Sequence, residues 1–282
     1  TNIEDVKRWY KLNKPNVVIL AAAKVGGIYA NSSYPTDFIL ENLKIEINTI
    51  ETSFKNNIKR FLFLGSSCIY PKKAPQPIQE ESLLTNSLEV TNEYYAIAKI
   101  AGIKLCQALR AQHGFDAISL MPTNLYGPGD NYHPLDSHVV ASLIRKFAEA
   151  KKKSLKEVIC WGTGNPLREF LHSDDLGDAC RFTLEKWNPD HVNAPLDLEG
   201  NPLTILNVGT GLDIKISHLA KLIAEKLQYK GEIVWDTSKP DGTPKKQLDV
   251  SKINELGWHS KITLEEGLNS TIDEYLSFEQ TS

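Results

Sequence analysis

Short, wholly apolar runs separated by longer amphipathic stretches set the rhythm of the first half of this chain. Val17-Val18-Ile19-Leu20-Ala21-Ala22-Ala23 is the first run and leads to Gly26-Gly27. Phe61-Leu62-Phe63-Leu64-Gly65 is the second. Ala117 to Met121 is the third, closed by Pro122-Thr123-Asn124-Leu125-Tyr126-Gly127-Pro128. Runs of this length without polar alternation predict strands buried on both faces. Residues 36–57 and 92–112 repeat apolar positions at helical spacing, and residues 4–13 predict a further helix ahead of the first strand. Strands alternating with helices predict an α/β fold with a parallel sheet covered on both faces.

The beat changes after residue 130. Helices are predicted at 137–152, 216–228, 251–257 and 263–277, and short strands at Glu157–Trp161, Leu203–Val208 and Glu232–Trp235. Without a steady βαβ repeat, this half predicts a smaller α/β lobe packed on the sheet. The division expected is a sheet domain over 1–130 and a mainly substrate-binding lobe over 131–282, with segments near 165–185 returning to the first. Asp190 to Pro202, rich in Pro, Asn and Asp, predicts a surface loop.

The bulk composition narrows the field. The 282 residues are 41% hydrophobic and 24% charged, with a formal net charge of −3. That balance argues against a nucleic-acid or membrane-surface partner. No apolar run approaches the roughly 20 residues of a membrane span, and no signal-peptide pattern opens the sequence. Cys68, Cys106, Cys160 and Cys180 form no CxxC pair and have no His-rich neighbourhood, which points to reduced thiols in a cytoplasmic protein without a metal site.

Two segments about thirty residues apart carry the candidate chemistry. Ser66-Ser67-Cys68-Ile69-Tyr70-Pro71 follows the second apolar run, and Tyr95-Ala96-Ile97-Ala98-Lys99 lies in the helix predicted over 92–112. Tyr95 and Lys99 share a helical face; Tyr94 does not fit, because four residues on it meets Ala98. An ammonium beside a phenol is expected to draw its pKa of about 10 down toward the working range. A hydroxyl from the strand end, Ser66 or Ser67, adds a neutral hydrogen bond to the same carbonyl oxygen. Together these groups suit carbonyl reduction. Cys68 sets a second acid/base group beside the first, although a buried cysteine more often serves as a small hydrophobe.

A sheet that holds a dinucleotide ordinarily opens with a strand, a glycine-rich turn and a helix whose N-terminus meets the pyrophosphate. No G-x-G-x-x-G occurs here; Gly162-Thr163-Gly164 and Gly209-Thr210-Gly211 come late and lack the third glycine. Either an opening βα unit stands outside this sequence, which the start inside a helix favours, or the protein cannot hold a dinucleotide in the ordinary way.

The motifs form an ordered set across nearly the whole chain. They are Ala21 to Gly27, Gly65 to Pro71, Asn92 to Gly102, Met121 to Pro128, Asn131-Tyr132-His133-Pro134 with Ser137-His138-Val139, Arg168-Glu169-Phe170-Leu171-His172, and Lys239 to Lys246. In this set the chain resembles the extended short-chain dehydrogenases/reductases that act on nucleotide sugars, the NAD-dependent epimerase/dehydratase family. Within the family it resembles the branch that epimerises a GDP-sugar before reducing it. The resemblance implies a Rossmann-like doubly wound parallel sheet, its opening βα unit absent from this chain, and a smaller C-terminal α/β substrate lobe. It implies 3,5-epimerisation and NADPH-dependent 4-reduction of GDP-4-dehydro-6-deoxy-D-mannose to GDP-L-fucose. It also implies a homodimer joined through helices 36–57 and 92–112.

The same resemblance distributes the roles. Tyr95 is the implied proton donor to the C4 oxygen, and Lys99 the ribose anchor and pKa-lowering charge. The carbonyl-binding hydroxyl falls to Ser66. Cys68 is the implied base at C3 and C5, both acidified by the 4-ketone, and His138 the acid that reprotonates the opposite face. Binding of NADP(H) falls to Ala22, Tyr95, Lys99, Pro122, Asn124 and His138, with Thr123 bordering the nicotinamide. The GDP-sugar falls to Asn124, Val139, Lys146, Trp161, Arg168 and Lys246. Lys146 departs from the family, where arginine is common, so a bidentate contact would become a point charge. His172 belongs to a structural Phe-Leu-His-x-Asp-Asp element. The alternatives are a 4-epimerase or 4,6-dehydratase of the same superfamily, and a non-catalytic nucleotide-sugar-binding relative. A dehydratase calls for an acidic pair near the serine, and a 4-epimerase has no use for a Cys/His pair.

Overall fold

Strands form at Val17–Leu20 (β1), Arg60–Leu64 (β2), Ala117–Pro122 (β3), Asn124–Tyr126 (β4), Glu157–Trp161 (β5), Leu167–His172 (β6), Ile205–Val208 (β7), Asp213–Lys215 (β8), Glu232–Asp236 (β9) and Lys245–Lys246 (β10). Helices form at Ile3–Asn13 (α1), Ile28–Ser33 (α2), Pro35–Lys55 (α3), Glu93–His113 (α4), Val139–Lys152 (α5), Ser173–Lys186 (α6), Ile216–Lys226 (α7), Ser251–Glu255 (α8) and Leu264–Thr281 (α9). The structure is a computed structural model that describes residues 2–134, 136–239 and 241–281. Leu135, in the Asn131-to-Ser137 loop, and Pro240, in the Lys239-to-Lys246 motif, lie outside the described residues.

The apolar runs pair in parallel in the order β1-β2-β3-β7. Leu62 lies between Ile19 and Ile118, and Leu120 pairs with Leu206. Phe61, Leu62 and Phe63 are all fully buried, so this strand is covered on both faces. One cover is the α3–α4 layer. It approaches so closely that a Cβ on Gly102 would stand 2.6 Å from the Phe63 ring, and a residue without a side chain is required at that crossing. Leu62 points to the opposite face, where α6 packs on β2. Each such fully buried Leu or Phe contributes about 1.5–3 kcal/mol relative to exposure. This is the Rossmann-like, doubly wound α/β architecture.

A second core gathers Ile144 and Phe147 of α5, Leu219 and Ile223 of α7, and Leu268 of α9, all at full burial. It is edged by β5 paired with β9, and by β6 set between β4 and β10, with β8 antiparallel to β6. The strand β6 joins the two cores. Phe170 packs into the second and Leu171 into the first, because successive strand residues face opposite ways. From there α6 carries Leu176, Ala179 and Cys180 into the first core.

Several elements depart from the sequence pattern. The first run is a strand only to Leu20. Lys24 is held across the sheet edge by the buried Asn42, which accepts its N–H at 2.8 Å and donates to its carbonyl at 3.0 Å. Ile205–Val208, grouped by position with the second half, is the fourth strand of the main sheet, and Ile253 of α8 with Trp258 also joins the first core. Three apolar residues and a buried asparagine carry no signal of which sheet they complete. The strand β6 and helix α6, present in the sequence only as a motif, are regular elements; buried His172 caps α6 by accepting the Asp174 N–H at 3.2 Å. Asp190 to Pro202 is a surface loop, with Val192 and Leu198 largely exposed.

Candidate active site

In an open parallel sheet, ligands meet the carboxyl ends of the strands. Along that edge stand Ala22 after β1, Ser66 after β2, Pro122 at the end of β3 with Thr123 and Asn124 leading into β4, and Gly209 after β7. Ser66 is extended and caps a single 3-10 turn over Ser67–Ile69; its Oγ accepts the Cys68 N–H at 3.1 Å. The same hydroxyl reaches the Tyr95 phenol. Ser67 is buried beneath the turn. The chain therefore brings Ser66, not Ser67, to Tyr95.

Tyr95 lies in the first turn of α4 and Lys99 one turn further on. Lys99 is buried: its Nζ donates to the Leu64 carbonyl at 2.9 Å and lies 3.4 Å from Glu46 Oε1. It also stands 5.9 Å from the Tyr95 ring centroid. Burial pushes the Tyr95 phenol well above its ordinary value, and the negative charge of Cys68 adds to this; Ser66 opposes both. The expectation that Lys99 draws the phenol down is thereby corrected. The ammonium is turned to Glu46 and a main-chain carbonyl, and Tyr95 is held firmly protonated.

Glu46 is the main addition to the site that sequence reasoning missed. Burial raises its carboxyl to about 7, with the Lys99 charge opposing. Burial lowers Lys99 in turn, with the Glu46 carboxylate opposing. The signal was present: Phe38, Asn42, Glu46 and Ile50 form the buried stripe of α3 at four-residue spacing, and a lone acid on that stripe calls for a partner. Glu46→Gln removes the counter-charge from Lys99 and one of the charges raising Tyr95, so both pKa values fall. The alkaline limb of kcat/KM for reduction is expected to move down by about one pH unit, tenfold in rate at that edge. An unmoved limb would show that Glu46 is only a packing group.

Cys68 sits on the turn rather than on the strand. Its Sγ accepts from Asn92 Nδ2 at 3.2 Å and from Lys246 Nζ at 3.3 Å. Burial pushes the thiol up, but Lys246, the Ser66 hydroxyl and the Arg168 guanidinium outweigh it, and Cys68 lies below the ordinary thiol value. His138 stands at the N-cap position of α5, and its side chain makes no capping bond. Although the residue is exposed, the protein packed round its imidazole lowers its pKa; Asp130 opposes this and the Lys246 ammonium adds to it. Lys246 of β10 pairs in register with Arg168 of β6. Arg168 donates to the Leu167 carbonyl at 2.8 Å and feels the charges of Cys68, Asp241 and Glu89. Asn124 Nδ2 is tied to the Glu169 carbonyl at 2.8 Å.

Ser66, Cys68, Tyr95, Lys99, Arg168, Lys246 and His138 thus fall within one linked set of hydrogen bonds and charges. Trp161, Lys146 and Lys239 form a second cluster at the end of β5. The half-exposed indole has Lys146 Nζ at 5.8 Å and Lys239 Nζ at 5.6 Å from its ring, and Lys146 donates to the Ile159 carbonyl at 2.9 Å. Val139, the first residue of α5, packs against the second core. Buried Glu169 is the keystone behind the site: its carboxylate accepts from Thr210, Gly211 and Leu248 N–H at 2.7–2.8 Å, tying the loop after β7 to the segment after β10. Among the described residues no His/Cys/Asp/Glu group could hold a metal ion, and no helix is long and apolar enough to cross a membrane.

Comparison with known proteins gives the family. Residues 1–194 match the NAD dependent epimerase/dehydratase family. The chain is 55% identical over 277 residues to GDP-L-fucose synthase 1 of Arabidopsis thaliana, covering 98% of this chain and 81% of that one. Among solved structures, a GDP-6-OMe-4-keto-L-xylo-heptose reductase from C. jejuni superposes with a TM-score of 0.89 at 34% identity, covering 100% of this chain and 87% of that one. A GDP-L-fucose synthetase from Naegleria fowleri bound to NADP gives 0.85 at 25% identity, covering 100% and 83%. The chain belongs to the NAD dependent epimerase/dehydratase family and, within it, groups with the GDP-L-fucose synthases.

Proposed function

We propose that this protein converts GDP-4-dehydro-6-deoxy-D-mannose to GDP-L-fucose by epimerisation at C3 and C5 followed by reduction at C4. One observation carries the reading: an acid group suited to carbonyl reduction (Ser66, Tyr95, Lys99) and a thiol held low by a cation (Cys68, Lys246) share one strand-end edge. The 4-ketone acidifies both neighbouring carbons. The Cys68 thiolate takes the proton from C3, leaving an enolate, and the His138 imidazolium returns a proton to the opposite face; the same exchange at C5 completes the inversion. Ser66 and Tyr95 then hold the C4 oxygen, and Tyr95 gives its proton to the oxygen as the carbon is reduced. NADPH, when bound, supplies the hydride.

The residues at the sheet edge suit that cofactor. Lys99 has three donors, of which the Leu64 carbonyl and Glu46 engage two, leaving one for a ribose hydroxyl. Ala22, Pro122 and Thr123 stand at the carboxyl ends of β1 and β3, where a dinucleotide lies in such sheets. Asn124, Val139, Arg168, Trp161 and Lys146 are proposed for the GDP-sugar. Trp161 is suited to stacking and its neighbouring lysines to phosphate charge. We further propose a cytoplasmic homodimer. Leu40 and Ile47 of α3, with Tyr94 and Ile97 of α4, are 39–47% exposed and form an apolar outer face on that helix pair.

The test is to incubate the protein with GDP-4-dehydro-6-deoxy-D-mannose and NADPH and follow both NADPH consumption and the product by NMR. GDP-L-fucose is the expected product, from a species sedimenting at twice the protomer mass. NADPH oxidation that yields only GDP-6-deoxy sugars of unchanged C3 and C5 configuration would make the protein a plain 4-reductase. A sedimenting monomer would remove the dimer.

A further inference from the structure

The Cys68 sulfur is met by two donors from segments far apart in sequence, Lys246 Nζ at 3.3 Å and Asn92 Nδ2 at 3.2 Å. A neutral thiol is a weak acceptor, whereas a thiolate is a full anion that both donors satisfy. The lysine is set by main-chain bonds on every side. Its strand pairs with β6 in register, Gln247 N–H donates to Gln76 Oε1 at 3.0 Å, and Leu248 N–H donates to buried Glu169 at 2.8 Å. The turn that carries the sulfur is fixed in turn by Ser66. The other charged or titratable groups facing Cys68 are Arg168 of β6 and Tyr95 of α4. Glu89 faces Arg168, but is engaged by Lys72 at 2.9 Å and by the Thr243 hydroxyl at 3.3 Å. His138 feels the same Lys246 charge.

We propose that Lys246, seconded by Asn92, is a positioning residue of the epimerisation half: it holds the Cys68 sulfur as the anionic base. This moves Lys246 from the GDP-sugar, to which the family resemblance assigns it, to the sulfur. Protons balance within one exchange. The C–H proton passes to sulfur, the His138 N–H proton passes to carbon, and solvent returns the thiol proton to the imidazole. The thiolate keeps its ammonium partner until it takes a proton. The proposal rests on the epimerase reading for its purpose, but its test needs no sugar nucleotide.

The experiment is alkylation of Cys68 by iodoacetamide in the full chain, quantified on the Cys68 peptide by mass spectrometry, from about pH 5 to about pH 10. The parent profile is expected to titrate below an ordinary thiol value of about 8.5. Lys246→Met should shift it up by at least about one unit, slowing alkylation at neutral pH about tenfold. Lys246→Arg should restore most of the shift, and Asn92→Ala should move the profile by a smaller amount in the same direction. A Lys246→Met profile that overlays the parent, accompanied by a raised KM for the GDP-sugar, would return Lys246 to the GDP-sugar and overturn the proposal. If that variant does not fold, Lys246→Gln keeps the stem and carries the same expectation. A parent profile at or above the ordinary thiol value overturns the proposal without any variant. Loss of deuterium exchange in a parent with a low thiol would instead sink the epimerase reading alone.

Discussion

Tyr95→Phe is expected to slow NADPH-dependent reduction at C4 by about two to four orders of magnitude, the usual worth of a positioned general acid. Deuterium from D₂O should still enter C3 and C5 at close to the parental rate. The physical ground is that Tyr95 is a donor already loaded. Burial and the neighbouring Cys68 charge keep the phenol protonated, and the Ser66 hydroxyl meets it. Phenylalanine keeps the ring, its packing over Lys99 and the helix, and removes only the proton. The exchange step draws on the Cys68 sulfur and His138, so it survives. Equal loss of reduction and exchange would mean that Tyr95 serves both halves and that they share one acid.

Cys68→Ser should give the converse. Wash-in at C3 and C5 is expected to fall by at least about a hundredfold, because a serine hydroxyl ionises far above any thiol and Lys246 cannot bring it into range. Net formation of GDP-L-fucose falls with it, while NADPH oxidation persists and leaves a sugar of uninverted C3 and C5. The substitution is close to isosteric, and Ser66 still caps the turn through the main chain, so the fold is retained. The same change removes a negative charge that raises Tyr95; the phenol pKa falls and the alkaline limb of the remaining reduction moves to lower pH. Exchange at the parental rate in Cys68→Ser would show that the base lies elsewhere. These two variants separate the half-reactions by product, which no loss of overall activity does.

Much of the frame was legible because burial imposes composition. β2 and β3 lie between two helical layers, so after the partly exposed Arg60 that opens β2 they carry no polar residue that faces solvent, and their apolar runs announce them. The long helices α3 and α4 show the same constraint at helical spacing. The strand β6 was not legible as a strand. Its sequence Leu-Arg-Glu-Phe-Leu-His serves two cores and an active site at once, and such a mixture has no single period. The strand β7 was seen but placed in the wrong half, since parallel pairing with β3 is decided by chain crossings that no local pattern records.

The site divides in the same way. By itself the sequence determined the chemical types: a phenol and an ammonium on one helical face, a serine and a cysteine at a strand end, and a histidine opening a later helix. Those follow from spacing within single elements. Only the tertiary structure decided what each group faces. Lys99 meets Glu46 of a different helix, and burial, with the Cys68 charge adding to it, raises the phenol where local spacing predicted a fall. Lys246 lies 178 residues from Cys68 in the chain and 3.3 Å from its sulfur. A pKa is set by burial and by charges a few ångströms away. Both are properties of the packed chain, which is why the residues could be named from the sequence while their protonation states waited for the fold.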